Sequence, residues 1–92
     1  MLLAWTTRAR KEPWAAIERI ARNAPEAALR QLLSIERQTD MLLRFPELGR
    51  PGAIPGTREL VISRSPFIVL YQIKAGEIEI LRFLHTARLR PK

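Results

Sequence analysis

The chain has a single histidine, His85, and the arginines near it are the residues whose types could do chemistry. Arg82 precedes it by three positions, and Arg88, Arg90 and Lys92 come after it with no acid between them. Arg58 and Glu59 stand upstream, at the start of a β-forming run. An imidazole titrates near neutral pH and guanidinium groups grip phosphate or carboxylate in pairs of hydrogen bonds. Such a set could hold an anionic substrate and move a proton. Each member also has a structural reading: Arg58 with Glu59 as an ion pair, His85 as a hydrogen bond fixing the start of the tail, and Arg88 to Lys92 as a solvated end. Residue types alone leave both readings open.

Other chemistries are excluded or left without support. With one histidine and no cysteine the chain has no multi-histidine or thiolate metal site and no disulfide. Gly49, Gly52 and Gly56 are not followed by the Lys-Ser/Thr pair of a phosphate-binding loop, and they lead into a strand where such a loop would open a helix. Ser63 or Ser65 as a nucleophile would rest only on the existence of a histidine somewhere in the chain. No cofactor and no metal are expected.

Sixteen Lys and Arg against nine Asp and Glu give a net charge of +7 and a pI near 11.3. The basic residues are mostly arginine. That balance points to an acidic partner: nucleic acid, a protein that handles nucleic acid, or an acidic protein segment. The 92 residues amount to one domain, residues 1–92, because two halves would each be too small to bury a core. No apolar run is long enough to span a bilayer, and at the start the basic residues come after the apolar ones, the reverse of a signal peptide, so no membrane contact and a cytoplasmic location are expected.

The elements that must position these residues can be read from period and punctuation. Leu2 to Trp5 suits a short strand, with Thr6 and Thr7 able to cap a helix directly after it. From Thr7 to Asn23 the pattern is helical, with Trp14, Ile17, Ile20 and Ala21 on one face, and Pro13 predicts a kink or a late start. Asn23-Ala24-Pro25-Glu26 marks a break and a new helix from Pro25 to about Arg44. Its stripe is Ala28, Leu32, Ile35, Thr39 and Leu42, widened by Leu29, Leu33, Met41 and Leu43. So short a break folds the two helices into an antiparallel hairpin. Glu47 to Thr57 is a loop rich in glycine and proline. Arg58 to Ser63, Phe67 to Lys74 and Glu77 to His85 then form a three-strand antiparallel meander, the middle one apolar on both faces and therefore central. In the last strand Arg82 interrupts the apolar row Ile78, Ile80, Leu84.

The segments GTRELVIS, SPFIVLYQI and GEIEILRFLHTAR closely resemble the C-terminal half of ParE-type toxins of the RelE/ParE superfamily. Trp5 before a helix containing Ala9, the run from Asn23 to Ala28, and Phe45-Pro46-Glu47-Leu48-Gly49-Arg50 are similar to the same pattern upstream. The resemblance implies an α+β fold: a short N-terminal strand and a two-helix antiparallel hairpin packed on a twisted antiparallel sheet with a C-terminal three-strand meander. It also implies the toxin of a type II toxin–antitoxin system, neutralised by a cognate antitoxin that wraps across it. Within the superfamily some members cut messenger RNA at the ribosome, and characterised ParE-like members poison DNA gyrase.

The RNA-cutting relatives typically carry an arginine three residues before the central-strand tyrosine, where it stabilises the scissile phosphate. Here that position is Ile68, before Tyr71. They also tend to have a catalytic tyrosine or histidine near the C-terminus, whereas this chain ends Leu89-Arg90-Pro91-Lys92. The ParE-like reading, a gyrase inhibitor and no enzyme, therefore leads. It uses Arg58, Glu59, Arg82, His85, Arg88 and Arg90 as a surface for target or partner. A nuclease would have to use Arg58, Arg82, His85 and Arg88 on messenger RNA, and a third reading is a homologue that only pairs with its antitoxin. Two departures from the ParE-like pattern stand out: Pro13 within the first helix, and Leu89-Arg90 where Asp-Trp often precedes the final proline.

Overall fold

Leu2–Trp5 forms strand β1, and Thr6 ends it by capping a short helix α1, Thr7–Lys11, its Oγ1 accepting from the Ala9 amide at 3.1 Å. These belong to a computed structural model that describes residues 1–85; Arg88, Arg90 and Lys92 lie outside the described residues. The expected first helix is divided. A turn at Glu12-Pro13 separates α1 from α2, Trp14–Asn23, because proline can neither donate to the preceding turn nor accommodate its carbonyl. Helix α3, Pro25–Asp40, opens with proline in its first turn and Glu26 at the positive end of its dipole, then tightens into a 3-10 turn at Met41–Leu43. Helices α2 and α3 pack against each other as the expected hairpin.

The loop contains one more element than its composition suggested, the two-residue strand β2, Arg50–Pro51. Strands β3, Thr57–Val61, β4, Phe67–Lys74, and β5, Glu77–His85, form the antiparallel meander. The sheet order is β1-β5-β4-β3-β2, with β4 in the middle as its two apolar faces require. β1 runs parallel to β5, pairing Leu2 with Glu77 through Trp5 with Ile80, so the sheet is mixed.

The core lies between the helices and one face of this sheet: Ala9 and Ile17, Ala28, Ile35 and Leu42, against Leu60, Phe67, Val69, Tyr71, Ile78, Ile80 and Phe83. Thr39 is buried among them with its hydroxyl satisfied by the Ile35 carbonyl at 2.9 Å. Trp14, on the expected apolar face of its helix, remains 50% exposed, since it stands at the first position after the Pro13 break. Leu29, Leu33, Met41 and Leu43, which widen the α3 stripe in sequence, are exposed as well. Among the described residues no helix is long and apolar enough to cross a membrane.

A bulge in β5 resolves the arginine in its apolar row. Tyr71 pairs with Ile80 and Leu70 with Arg82, so Leu81 is an extra residue without a partner on β4. Alternation shifts by one at that point. Phe83 then continues the core row of Ile78 and Ile80, and Arg82 turns to the other face with Leu84.

The β4–β5 turn consists of Ala75 and Gly76, both at positive φ, 51° and 77°, which an L residue adopts at a cost. Replacing Ala75→Gly is expected to stabilise the fold by about 0.5 kcal/mol, because relief of the left-handed strain exceeds the added freedom of the unfolded chain. The measurement is the urea midpoint, which should rise at unchanged slope.

Candidate functional site

Beyond Ile80, β1 has ended and the outer edge of β5 needs other partners. Thr6 supplies two: its amide donates to the Ile80 carbonyl at 3.0 Å, and its hydroxyl donates to the carbonyl of bulged Leu81 at 3.1 Å. Glu12 supplies the next. Its Oε1 accepts from the Phe83 amide at 2.8 Å, and its Oε2 accepts from Arg82 Nε at 2.7 Å and pairs with Arg82 Nη2. The side chain of Glu12 is only 12% exposed, and Arg8 lies 3.9 Å away from it. Burial pushes the carboxyl up, but Arg82, the Phe83 amide and Arg8 together outweigh it and hold Glu12 below its ordinary value.

A second cluster fixes the glycine-containing loop to the sheet. Tyr71, fully buried, donates from its hydroxyl to the Pro46 carbonyl at 2.6 Å and accepts from the Gly49 amide at 2.9 Å. Burial pushes the phenol above its usual value, against the lowering influence of the Gly49 amide and Arg58. Arg58, opposite Tyr71 on β3, donates from Nη1 to the Gly49 carbonyl at 2.7 Å. Glu59 pairs with Arg50, Nε to Oε1 at 3.0 Å, across the β2–β3 ladder. A side chain at Gly49 would meet Tyr71 Cε1 at 2.7 Å and the Glu59 carbonyl at 2.8 Å, so only glycine allows this approach.

The residues singled out in sequence are therefore distributed. Arg58 and Glu59 are neighbours, but Glu59 binds Arg50 while Arg58 binds loop carbonyls. Arg82 engages Glu12. His85 is exposed at the end of β5, opposite Phe67, with the two rings 6.0 Å apart and edge-on. Arg58 lies opposite Tyr71, so four residues of β4, roughly 13 Å, separate it from His85 along the strand. Ile68 is 2% exposed and pairs with Val61 and Leu84. No group of three His, Asp or Glu residues comes together among the described residues. Sequence reasoning missed Glu12 and the clamping role of Tyr71. The available signals were an acid directly before the one helix-breaking proline, and an arginine needing a countercharge in an apolar row.

The family described as "ParE toxin of type II toxin-antitoxin system, parDE" matches residues 3–90. Y4kP of Sinorhizobium fredii, named as a toxin, is 36% identical over 90 residues, spanning 98% of this chain and 93% of that one. Toxin RelE2 of Caulobacter vibrioides is 36% identical over 87 residues, spanning 95% and 97%. Among solved structures, a chain of the chromosomal ParDE TA system from P. aeruginosa superposes with a TM-score of 0.83 at 33% identity, covering 92% of this chain and 95% of that one. A YoeB/ParE toxin from Agrobacterium tumefaciens shares the fold, with a TM-score of 0.61 at 18% identity over 92% and 98%.

Glu12→Gln is expected to cost about 2 kcal/mol, the scale of a charge-assisted hydrogen bond lost in a mostly buried setting. The depressed carboxyl adds stability above the unfolded value near 4.5 that disappears as pH falls through the folded value. The variant's unfolding free energy, measured from neutral pH downward, should therefore decline less steeply in acid than that of the wild type. Gly49→Ala should raise hydrogen exchange at the amides of Leu48–Arg50 by tenfold or more, while amides in the middle of β4 stay protected; uniform loosening would contradict a local clamp.

Proposed function

The chain belongs to the ParE toxin family of type II toxin–antitoxin systems, and on that premise we propose that it arrests growth by inhibiting DNA gyrase, with no catalytic step of its own, until a cognate antitoxin covers it. Ile68 carries this reading. A ribonuclease of this fold needs a cation beside the scissile phosphate, and the position three before Tyr71 holds a buried aliphatic side chain. Tyr71 supports it too, since its hydroxyl is engaged twice in holding the loop, where a nuclease would need it at a substrate.

In this reading the C-terminal residues are a contact surface. His85 stands exposed at the end of β5, Arg88 and Arg90 come next, outside the described residues, and Arg58, Glu59 and Arg82 shape the surface through the loop and the strand edge. The antitoxin has an apolar seat to occupy, a groove of about 780 Å³ where Leu2 and Trp5 of β1 meet Trp14 of α2, Leu32 and Ile35 of α3, and Leu43 of the 3-10 turn. An amphipathic segment suits such a groove. A cytoplasmic location agrees with a target that works on chromosomal or plasmid DNA.

The test is supercoiling by purified gyrase with the toxin added, run beside primer extension on translated messages. Loss of supercoiling at near-stoichiometric toxin, with messages intact, is expected. Cleaved messages with unaffected supercoiling would establish the nuclease in its place.

A further inference from the structure

On the side of α3 turned from the apolar groove, the helix faces the turn between β3 and β4 across a second groove of about 550 Å³. Arg30 and Arg37 come from the helix and Arg64 from the turn; Ser34 and Ser63 add hydroxyls, and no carboxylate lines it. At 100° per residue Arg30 and Arg37 fall within 20° of one another, and Leu32 and Thr39, which line the apolar groove, fall on the opposite side. Unlike Arg8, Arg50 and Arg82, these three arginines have no ion pair among the described residues.

The turn is held against the helix. The Ser63 amide donates to Gln38 Oε1 at 2.9 Å and Gln31 Nε2 reaches the Arg64 carbonyl at 3.5 Å. Arg64 itself sits at φ 60°, where glycine or asparagine would be cheaper. Arg64 thus combines local backbone strain with a guanidinium that makes no ion pair among the described residues.

We propose that this arginine groove binds the phosphate backbone of duplex DNA. Its lining offers guanidinium and hydroxyl donors suited to phosphate oxygens. Seven residues of helix, about 10 Å of rise, separate Arg30 from Arg37 on one side of α3, so both guanidinium groups can reach phosphates of the same strand. A rigid helix that holds its cations in a fixed row with no carboxylate among them suits a uniformly charged backbone, while the more extensively apolar groove on the other side of α3 suits a protein segment. The net charge of +7 adds long-range attraction. The inference goes beyond gyrase inhibition and stands independently of it: a toxin holding DNA through one side of α3 keeps the opposite groove open to protein.

The test uses the full chain and a short fluorescent duplex of mixed sequence, with anisotropy followed across salt concentrations and gyrase absent. The variant Arg30→Ala/Arg37→Ala/Arg64→Ala is compared with Arg10→Ala/Arg44→Ala/Lys74→Ala, which removes the same charge elsewhere. The groove variant should lower the slope of log K against log salt by about two to three, and Arg37→Ala alone by about one, while the matched control lowers it by less than about one. All the altered residues are exposed, and thermal melting checks that the variants fold. Equal losses in groove and control variants would overturn the proposal in favour of diffuse charge, as would a wild type that binds no duplex. A groove variant that keeps DNA binding but loses binding to polyglutamate would replace it with an acidic protein partner.

Discussion

A nine-residue strand flanked on one side by a four-residue strand has backbone groups left over, and the way this chain satisfies them determines much of its architecture. Thr6 takes the carbonyls of Ile80 and Leu81, and Glu12 takes the amide of Phe83 together with Arg82. Glu12 reaches that edge from the C-terminal cap of α1, and Pro13, which has no amide to donate, interrupts the helical hydrogen bonding directly after it. After the break α2 seats Ile17 in the core and leaves Trp14 at the rim of the apolar groove. One carboxylate thus ties the helical layer to the last strand, and removing it would take the partner from both the Arg82 guanidinium and the Phe83 amide.

Most of the fold was legible because its signals are periodic. The meander showed in strands of period two, the central strand in its two apolar faces, and the second helix in Pro25 and Glu26 at its start. Three features were not. β2 has two residues, Arg50 and Pro51, too few to carry any period, and it exists because Glu59 and the clamp at Gly49 hold it in place. The parallel pairing of β1 with β5 is a contact across the length of the chain that no local pattern encodes. The bulge at Leu81 was visible only as its symptom, Arg82 in an apolar row.

The candidate site was legible as a set of residue types and much less as a geometry. Arg58, Glu59 and Arg82 were singled out as cations and anions near one imidazole. In the structure their partners are local: loop carbonyls for Arg58, Arg50 for Glu59, Glu12 for Arg82. Which of several opposite charges a side chain meets depends on register and on faces, and a one-residue slip moves every side chain to the other side of the sheet. Arg30, Arg37 and Arg64, which have no ion pair among the described residues, drew no attention in sequence because nothing chemical stands beside them until α3 and the β3–β4 turn come together.

The pairing of β1 with β5 also bears on how the molecule comes into being. Synthesis proceeds from the N-terminus, so β1 has to wait for a partner strand that lies more than seventy residues further along the chain. Until β5 is made, Leu3 and Trp5 have no sheet to join, and Thr6 and Glu12 have no edge to close. Loop closure over so long a separation is a late step on entropic grounds. The nascent protein is thus without its finished surface until β5 is free to pair, which leaves the interval for a partner already present in the cell to meet it as it folds.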